Sequence, residues 1–171
     1  MNKKILRKEF FSEGAVLVKS CLKKEDFFKI ENRLFNEIRI HIACKNPFDF
    51  EWIEYAKKNP STVSSIYDNV ADLFECIELV RNSSIKEVIR ALLGGQVKIY
   101  QKIPLRIDVP NVIKELAVWH QDDFYVRGAP NEITAWIPLQ DTPMHAGALS
   151  VIKKSHIHGK IPHKIVWGKK Y

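Results

Sequence analysis

The feature that most constrains the fold is a change in the period of the hydrophobic residues near Gln96. Before this residue, apolar side chains recur every three or four positions, as they do on one face of a helix. After it, they alternate with polar side chains, which is typical of half-buried strands. The sequence therefore predicts one domain over residues 1–171, with a helical part at 1–95 and a strand-rich part at 96–171.

Three amphipathic helices are predicted in the first part. One lies within residues 23–43, and its apolar face consists of Phe27, Ile30, Leu34, Ile38 and Ile42. A second has apolar residues at alternating steps of four and three, namely Ile66, Val70, Leu73, Ile77 and Val80. A third begins near Ser84, at capping-box spacing from Glu87, and ends at Gly94. These helices are expected to form a scaffold.

Strands are predicted wherever the period is two. A short one is expected at Ala15–Val18, entered through Gly14. The others are expected at 97–101, 104–110, 116–122, 132–139 and 147–153. Together the two periods predict helices packed outside a largely antiparallel sandwich or barrel.

The charge distribution does not favour a nucleic-acid partner. The net charge is +7, but six of the 27 basic side chains follow residue 152, where there is no acidic residue: Lys153, Lys154, Lys160, Lys164, Lys169 and Lys170. Without a nucleic-acid motif, such a tail is expected to be a solvated segment. A basic nucleic-acid binder stays the minor hypothesis, and it predicts binding that weakens steeply with salt.

Other classes are excluded by what the sequence lacks. No apolar run approaches the roughly 20 residues of a membrane span, and charged residues interrupt the N-terminal segment before a signal peptide could form. We therefore expect a cytoplasmic protein with no membrane partner. Cys21, Cys44 and Cys76 are widely spaced and are expected to be small buried hydrophobes.

The stretch "WHQDDFY" at 119–125 concentrates residues that can bind a metal. On a strand, His120 and Asp122 would point to one face, whereas Gln121 and Asp123 would point to the other. An imidazole and a carboxylate suit a divalent metal such as Fe(II), and a second histidine would complete a 2-His-1-carboxylate triad. On these residues alone, a hydrogen-bonded His–Asp pair without metal stays the alternative.

The surrounding sequence resembles the phytanoyl-CoA dioxygenase family of Fe(II)- and 2-oxoglutarate-dependent oxygenases. The similar elements are the W-H-Q-D block, the "TAWIPL" and "GALSVI" segments, the Ser-His after them, and the opening "FFSEGAVLVKSCLKKEDF". The resemblance implies an α+β fold with a double-stranded β-helix (jelly-roll, cupin-like) core and N-terminal helices packed outside. It also implies hydroxylation of a small organic substrate, with 2-oxoglutarate decarboxylated to succinate.

The resemblance assigns roles to five residues of this sequence. His120 and Asp122 correspond to the iron ligands, and Gln121 and Trp136 correspond to residues that line the 2-oxoglutarate pocket. Arg106, on the preceding predicted strand, is a looser match to a polar or basic residue of the same pocket.

The sequence departs from the family where the later site residues are expected. The family takes a second histidine ligand from a later strand, followed by an arginine that pairs with 2-oxoglutarate, but no arginine follows Arg127 here. We therefore expect a C-terminally truncated chain without the last strands, either a fragment of an active dioxygenase or a non-catalytic binding module on the same fold.

The remaining histidines offer weaker alternatives. His145 and His156 match a turn position and a structural position of the family. His156 and His158, with His163 nearby, could instead form a separate zinc site. None of these four is expected to replace the missing iron ligand.

Overall fold

The computed structural model describes residues 2–46, 49–71, 74–100, 103–110, 119–124 and 131–162. Its α-helices are α1 (Lys3–Glu13), α2 (Lys24–His41), α3 (Phe50–Lys58), α4 (Pro60–Ala71), α5 (Phe74–Val80) and α6 (Ser83–Leu93). Short 3₁₀ helices occupy Asp122–Phe124, Met144–Ala146 and Ser155–His158. No described helix is long and apolar enough to cross a membrane.

Helix α1 was not predicted, although the sequence contains both of its end signals. The Asn2 side chain accepts hydrogen bonds from the backbone N–H groups of Lys4 and Ile5, which caps the first turn. Gly14 ends the helix in the left-handed conformation, with φ of 83°. Only Leu6 of α1 is buried, so the helix has a narrow apolar face. Basic residues occupy much of the rest, and the sequence therefore lacks a clear amphipathic pattern here.

The helix predicted within residues 23–43 is confirmed as α2. Its first turn is stabilised because the backbone N–H of Lys23 donates to the Asp26 carboxylate over 2.7 Å. Ile30 and Ile38 are buried, as the spacing predicted. Glu37 is also buried, and Arg33 one turn earlier provides its charge partner at 3.2 Å.

The helix predicted through Ile66 and Val80 is instead two helices, α4 and α5, and Leu73 lies outside the described residues. Ile66 and Val70 are fully buried, but in α5 the buried side chains are Cys76 and Leu79. The buried face therefore changes phase between the two helices, which a single uninterrupted period could not predict.

The third predicted helix is confirmed as α6, with a different cap. The Asn82 side chain accepts from the backbone N–H of Ser84 over 2.9 Å, so the capping residue is Asn82 and not Ser84. Gly94 follows the last residue of the helix, as predicted. At this C-terminal end, the Arg7 guanidinium of α1 donates to the carbonyls of Ala91 and Leu92.

Two apolar clusters hold the described part together. The larger lies where α2 packs on α4 and α5 and α3 packs on α4; its buried members are Ile30, Ile38, Trp52, Ala56, Val63, Ile66, Val70, Cys76, Leu79 and Val109. The smaller lies between α1 and α6 and is built on Leu6, Val88 and Leu92. Partly buried Val16, Val18 and Ile133 pack against this second cluster.

The predicted β-helix core is wrong for the part of the chain that the structure describes, which has no strand, sheet or barrel. Residues 15–18, 97–100, 103–109, 132–138 and 148–152 form no strand. Of the predicted strand at 116–122, residues 116–118 lie outside the described residues, and residues 119–122 form no strand.

The period of two is nevertheless visible in which side chains are buried. Leu105, Ile107 and Val109 pack on the larger cluster, whereas Arg106 and Asp108 are exposed. Tyr67 of α4 donates its hydroxyl proton to the Ile107 carbonyl over 2.8 Å. Alternation requires only an extended backbone with one side covered, and here helices provide the cover. A sheet requires in addition a hydrogen-bonded ladder to a neighbouring strand.

Candidate metal site

The site is built on the turn at residues 119–124. His120 and Asp122 are brought together there, with 3.3 Å between the imidazole Nε2 and the carboxylate Oδ1. Both side chains are accessible, with relative exposures of 27% and 49%. Their approach does not need the predicted strand, because the backbone bends into a 3₁₀ turn at Asp122. The turn thus presents an imidazole and a carboxylate to solvent side by side.

The second oxygen of the Asp122 carboxylate is also engaged. The Thr134 hydroxyl donates to Oδ2 from the segment at 132–138, which has no regular secondary structure. A carboxylate only accepts hydrogen bonds, so the hydroxyl must be the donor. The sequence analysis missed Thr134. The available signal was its position two residues before Trp136, on the same predicted strand face.

The other two polar residues of the turn point to a different part of the chain. Gln121 donates through Nε2 to the Gly159 carbonyl, and its Oε1 accepts from the Ile161 N–H, both over 2.8 Å. Asp123 forms an ion pair with Lys160. The turn therefore separates its side chains into two groups, His120 with Asp122 and Gln121 with Asp123, although it is a 3₁₀ turn and not the predicted strand. The contacts of Gln121 and Asp123 with residues 159–161 were not foreseen.

Arg106 lies against helix α4. Its guanidinium forms a 2.7 Å ion pair with the carboxylate of Asp108, two residues further along the chain. Together with Pro60, Val63, Ser64, Tyr67 and Leu105, it lines a surface cavity of about 340 Å³. Trp136 is 44% exposed and lies on the segment that carries Thr134.

The described histidines outside the turn have separate surroundings. His145 lies in the exposed 3₁₀ turn at Met144–Ala146, and His158 is exposed. The His156 Nε2 is 3.0 Å from the Phe11 carbonyl in the last turn of α1, which gives this ring a structural contact. His163 lies outside the described residues, so the zinc site predicted from His156, His158 and His163 also extends beyond them. Among the described residues, no group of three or more His, Cys, Asp or Glu side chains is placed to hold a metal ion.

Two of the cysteines, Cys21 and Cys76, have thiols whose pKa is raised. Burial, followed by the nearby Glu75 charge, raises the pKa of the Cys76 thiol. Burial, followed by the Asp26 charge, raises the pKa of Cys21. A raised pKa disfavours the thiolate, which is the nucleophilic form of a cysteine.

An imidazole and a carboxylate side by side supply two of the three protein ligands of a 2-His-1-carboxylate centre. Comparison with known families identifies the chain further: the phytanoyl-CoA dioxygenase (PhyH) family model matches residues 10–170. The chain belongs to this family, as its sequence motifs indicated. No curated protein and no solved structure matches the chain.

Proposed function

We propose that this protein is an Fe(II)- and 2-oxoglutarate-dependent dioxygenase that hydroxylates a small organic substrate while 2-oxoglutarate is decarboxylated to succinate. Membership of a dioxygenase family supports the reaction class. The observation that carries the proposal for this chain is the 3.3 Å approach of His120 Nε2 to Asp122 Oδ1 within the matched region.

The two side chains fit a shared metal ion. Metal–nitrogen and metal–oxygen bonds of about 2.1 Å place ligands in neighbouring coordination positions roughly 3 Å apart, close to the separation of these two atoms. The imidazole supplies a neutral donor and the carboxylate supplies a negative one, the combination used by non-haem Fe(II) centres. His120 and Asp122 would therefore hold the iron.

The bound iron and its co-substrate would supply the oxidising chemistry, and the protein would supply binding, orientation and exclusion of water. Asp122 would contribute the negative charge that offsets part of the metal charge. The paired contacts of Gln121 and Asp123 with residues 159–161 would hold that segment beside the turn.

For 2-oxoglutarate we propose Arg106, Trp136 and Gln121 as binding residues, on the resemblance. A guanidinium has five N–H donors and suits a carboxylate ligand, and Arg106 already pairs with the Asp108 carboxylate. The Gln121 amide already forms hydrogen bonds through both Nε2 and Oε1, to backbone groups of residues 159–161.

A second candidate is a non-catalytic binding module of the same family. It is favoured by one observation, that the described residues include no third side chain placed to complete a metal site. This candidate predicts a protein that binds a small organic ligand but releases no succinate.

The two candidates differ in a coupled measurement of metal binding and succinate release. The chain should release succinate from 2-oxoglutarate only when Fe(II) and dioxygen are present, and His120→Ala and Asp122→Ala should each abolish this release. Asp123→Ala is the matched control, because this adjacent carboxylate pairs with Lys160 and should leave succinate release largely intact. A wild-type chain that neither binds Fe(II) nor releases succinate would refute the dioxygenase proposal.

A further inference from the structure

We propose that Thr134 is a positioning residue that holds the Asp122 carboxylate in its metal-binding orientation, an inference that rests on the proposed function. Thr134 lies in a separate segment, twelve positions further along the chain.

The argument starts from how the two carboxylate oxygens are used. Oδ2 accepts the Thr134 hydroxyl proton, and Oδ1 is the oxygen that faces His120. A metal held by His120 would therefore meet Oδ1, while Oδ2 keeps its hydrogen bond. Outer hydrogen bonds of this kind orient ligating carboxylates and tune their affinity for the metal.

Asp122 needs such support because it is exposed. Its side chain is 49% accessible and lies at the start of a three-residue 3₁₀ turn, so packing alone does little to restrict its rotation. Threonine is well suited to restrain it, because two heavy atoms on Cβ limit the χ1 rotamers that its hydroxyl can occupy. The hydrogen bond thus reduces the freedom that the carboxylate must lose when it binds a metal.

The arrangement also links the turn to the rest of the molecule. Thr134 follows Ile133, which packs on the cluster between α1 and α6. The hydrogen bond therefore ties the Asp122 carboxylate to a segment that packs on helices α1 and α6.

The test is an anaerobic titration of the full 171-residue chain with Co(II), followed by visible absorption and calorimetry. Thr134→Val keeps the side-chain shape and removes the hydroxyl, whereas Thr134→Ser keeps the hydroxyl. The control is Thr142→Val, because the Thr142 hydroxyl donates to the Gln140 backbone carbonyl and not to a carboxylate. His120→Ala identifies the Co(II) signal that belongs to this site.

Thr134→Val should weaken Co(II) binding about 10- to 100-fold, the usual range for outer-shell partners of metal ligands. Thr134→Ser should restore most of the affinity, Thr142→Val should bind like wild type, and the metal-free variants should unfold at the wild-type denaturant midpoint. Equal Co(II) affinity of wild type and Thr134→Val would overturn the positioning role and leave the proposed function standing. A wild-type chain that shows no His120-dependent Co(II) signal would overturn the proposed function, and the positioning role with it.

Discussion

Replacing Gly14 by alanine should test how the segment at 153–156 docks on helix α1. Gly14 has φ of 83°, and a Cβ added there would lie 2.4 Å from Nδ1 of His156. The same segment contributes the Lys154 N–H, which donates to the Glu13 carbonyl over 2.8 Å. Gly14 therefore permits both the end of α1 and the close approach of the histidine ring.

Two terms set the expected cost of Gly14→Ala. A left-handed conformation costs a residue with a Cβ about 1–2 kcal/mol. The His156 ring must also move by about 1 Å to restore an ordinary contact of 3.4 Å, and this movement would break its 3.0 Å bond to the Phe11 carbonyl. Loss of that bond adds roughly 1 kcal/mol. We therefore expect a total loss of about 2–3 kcal/mol.

Gly147→Ala is the matched control. Gly147 has the same φ of 83°, but a Cβ there would have no neighbour within 4 Å. It should therefore cost only the conformational term of about 1–2 kcal/mol. The entropy that alanine removes from the unfolded chain is the same for both variants and cancels in the comparison.

Urea denaturation followed by circular dichroism would measure these free energies of unfolding. In a His156→Ala background, the cost of Gly14→Ala should fall to that of Gly147→Ala, since the contact has been removed. Equal costs for the two glycine variants in the wild-type background would refute the steric argument. An unchanged Gly14→Ala cost without the His156 ring would refute it as well.

Three further predictions concern the core, a thiol and the turn. Ile66→Ala should lower the free energy of unfolding by about 2–5 kcal/mol because this side chain is fully buried, whereas Ile5→Ala, at a side chain 63% exposed, should change it little in the same urea assay. Cys76 should resist iodoacetamide at pH 8 in the folded protein and react in denaturant, since burial raises the pKa of its thiol; rapid native labelling would contradict this. The pKa of the Cys76 thiol is higher in the folded protein than in the unfolded chain. Its contribution to the free energy of unfolding is therefore fully present below the pKa of the unfolded chain, and it is lost as the pH rises through the pKa of the folded protein. Gln121→Leu should accelerate hydrogen exchange at the Ile161 amide, which loses its acceptor, and unchanged exchange would show that the Gln121 contacts do not hold this segment.

The sequence determined the features that depend on near neighbours along the chain. The apolar stripe through Ile30 and Ile38 was sufficient to predict α2, because residues at helical spacing share a face whatever packs on it. The proximity of His120 and Asp122 was predicted for a strand, whereas the structure brings the two side chains together in a 3₁₀ turn. The family was recognisable because several motifs occur in a fixed order.

Only the tertiary structure decided what lies across from the alternating segments. Leu105, Ile107 and Val109 show the burial of a strand face, yet their cover consists of helices, and alternation by itself does not identify the covering element. The same limit applies to the site. The bonds from Thr134 to Asp122 and from Gln121 to residues 159–161 join positions 12 and about 40 residues apart. Local spacing cannot specify such contacts, because they depend on how the helices bring distant segments of the chain together.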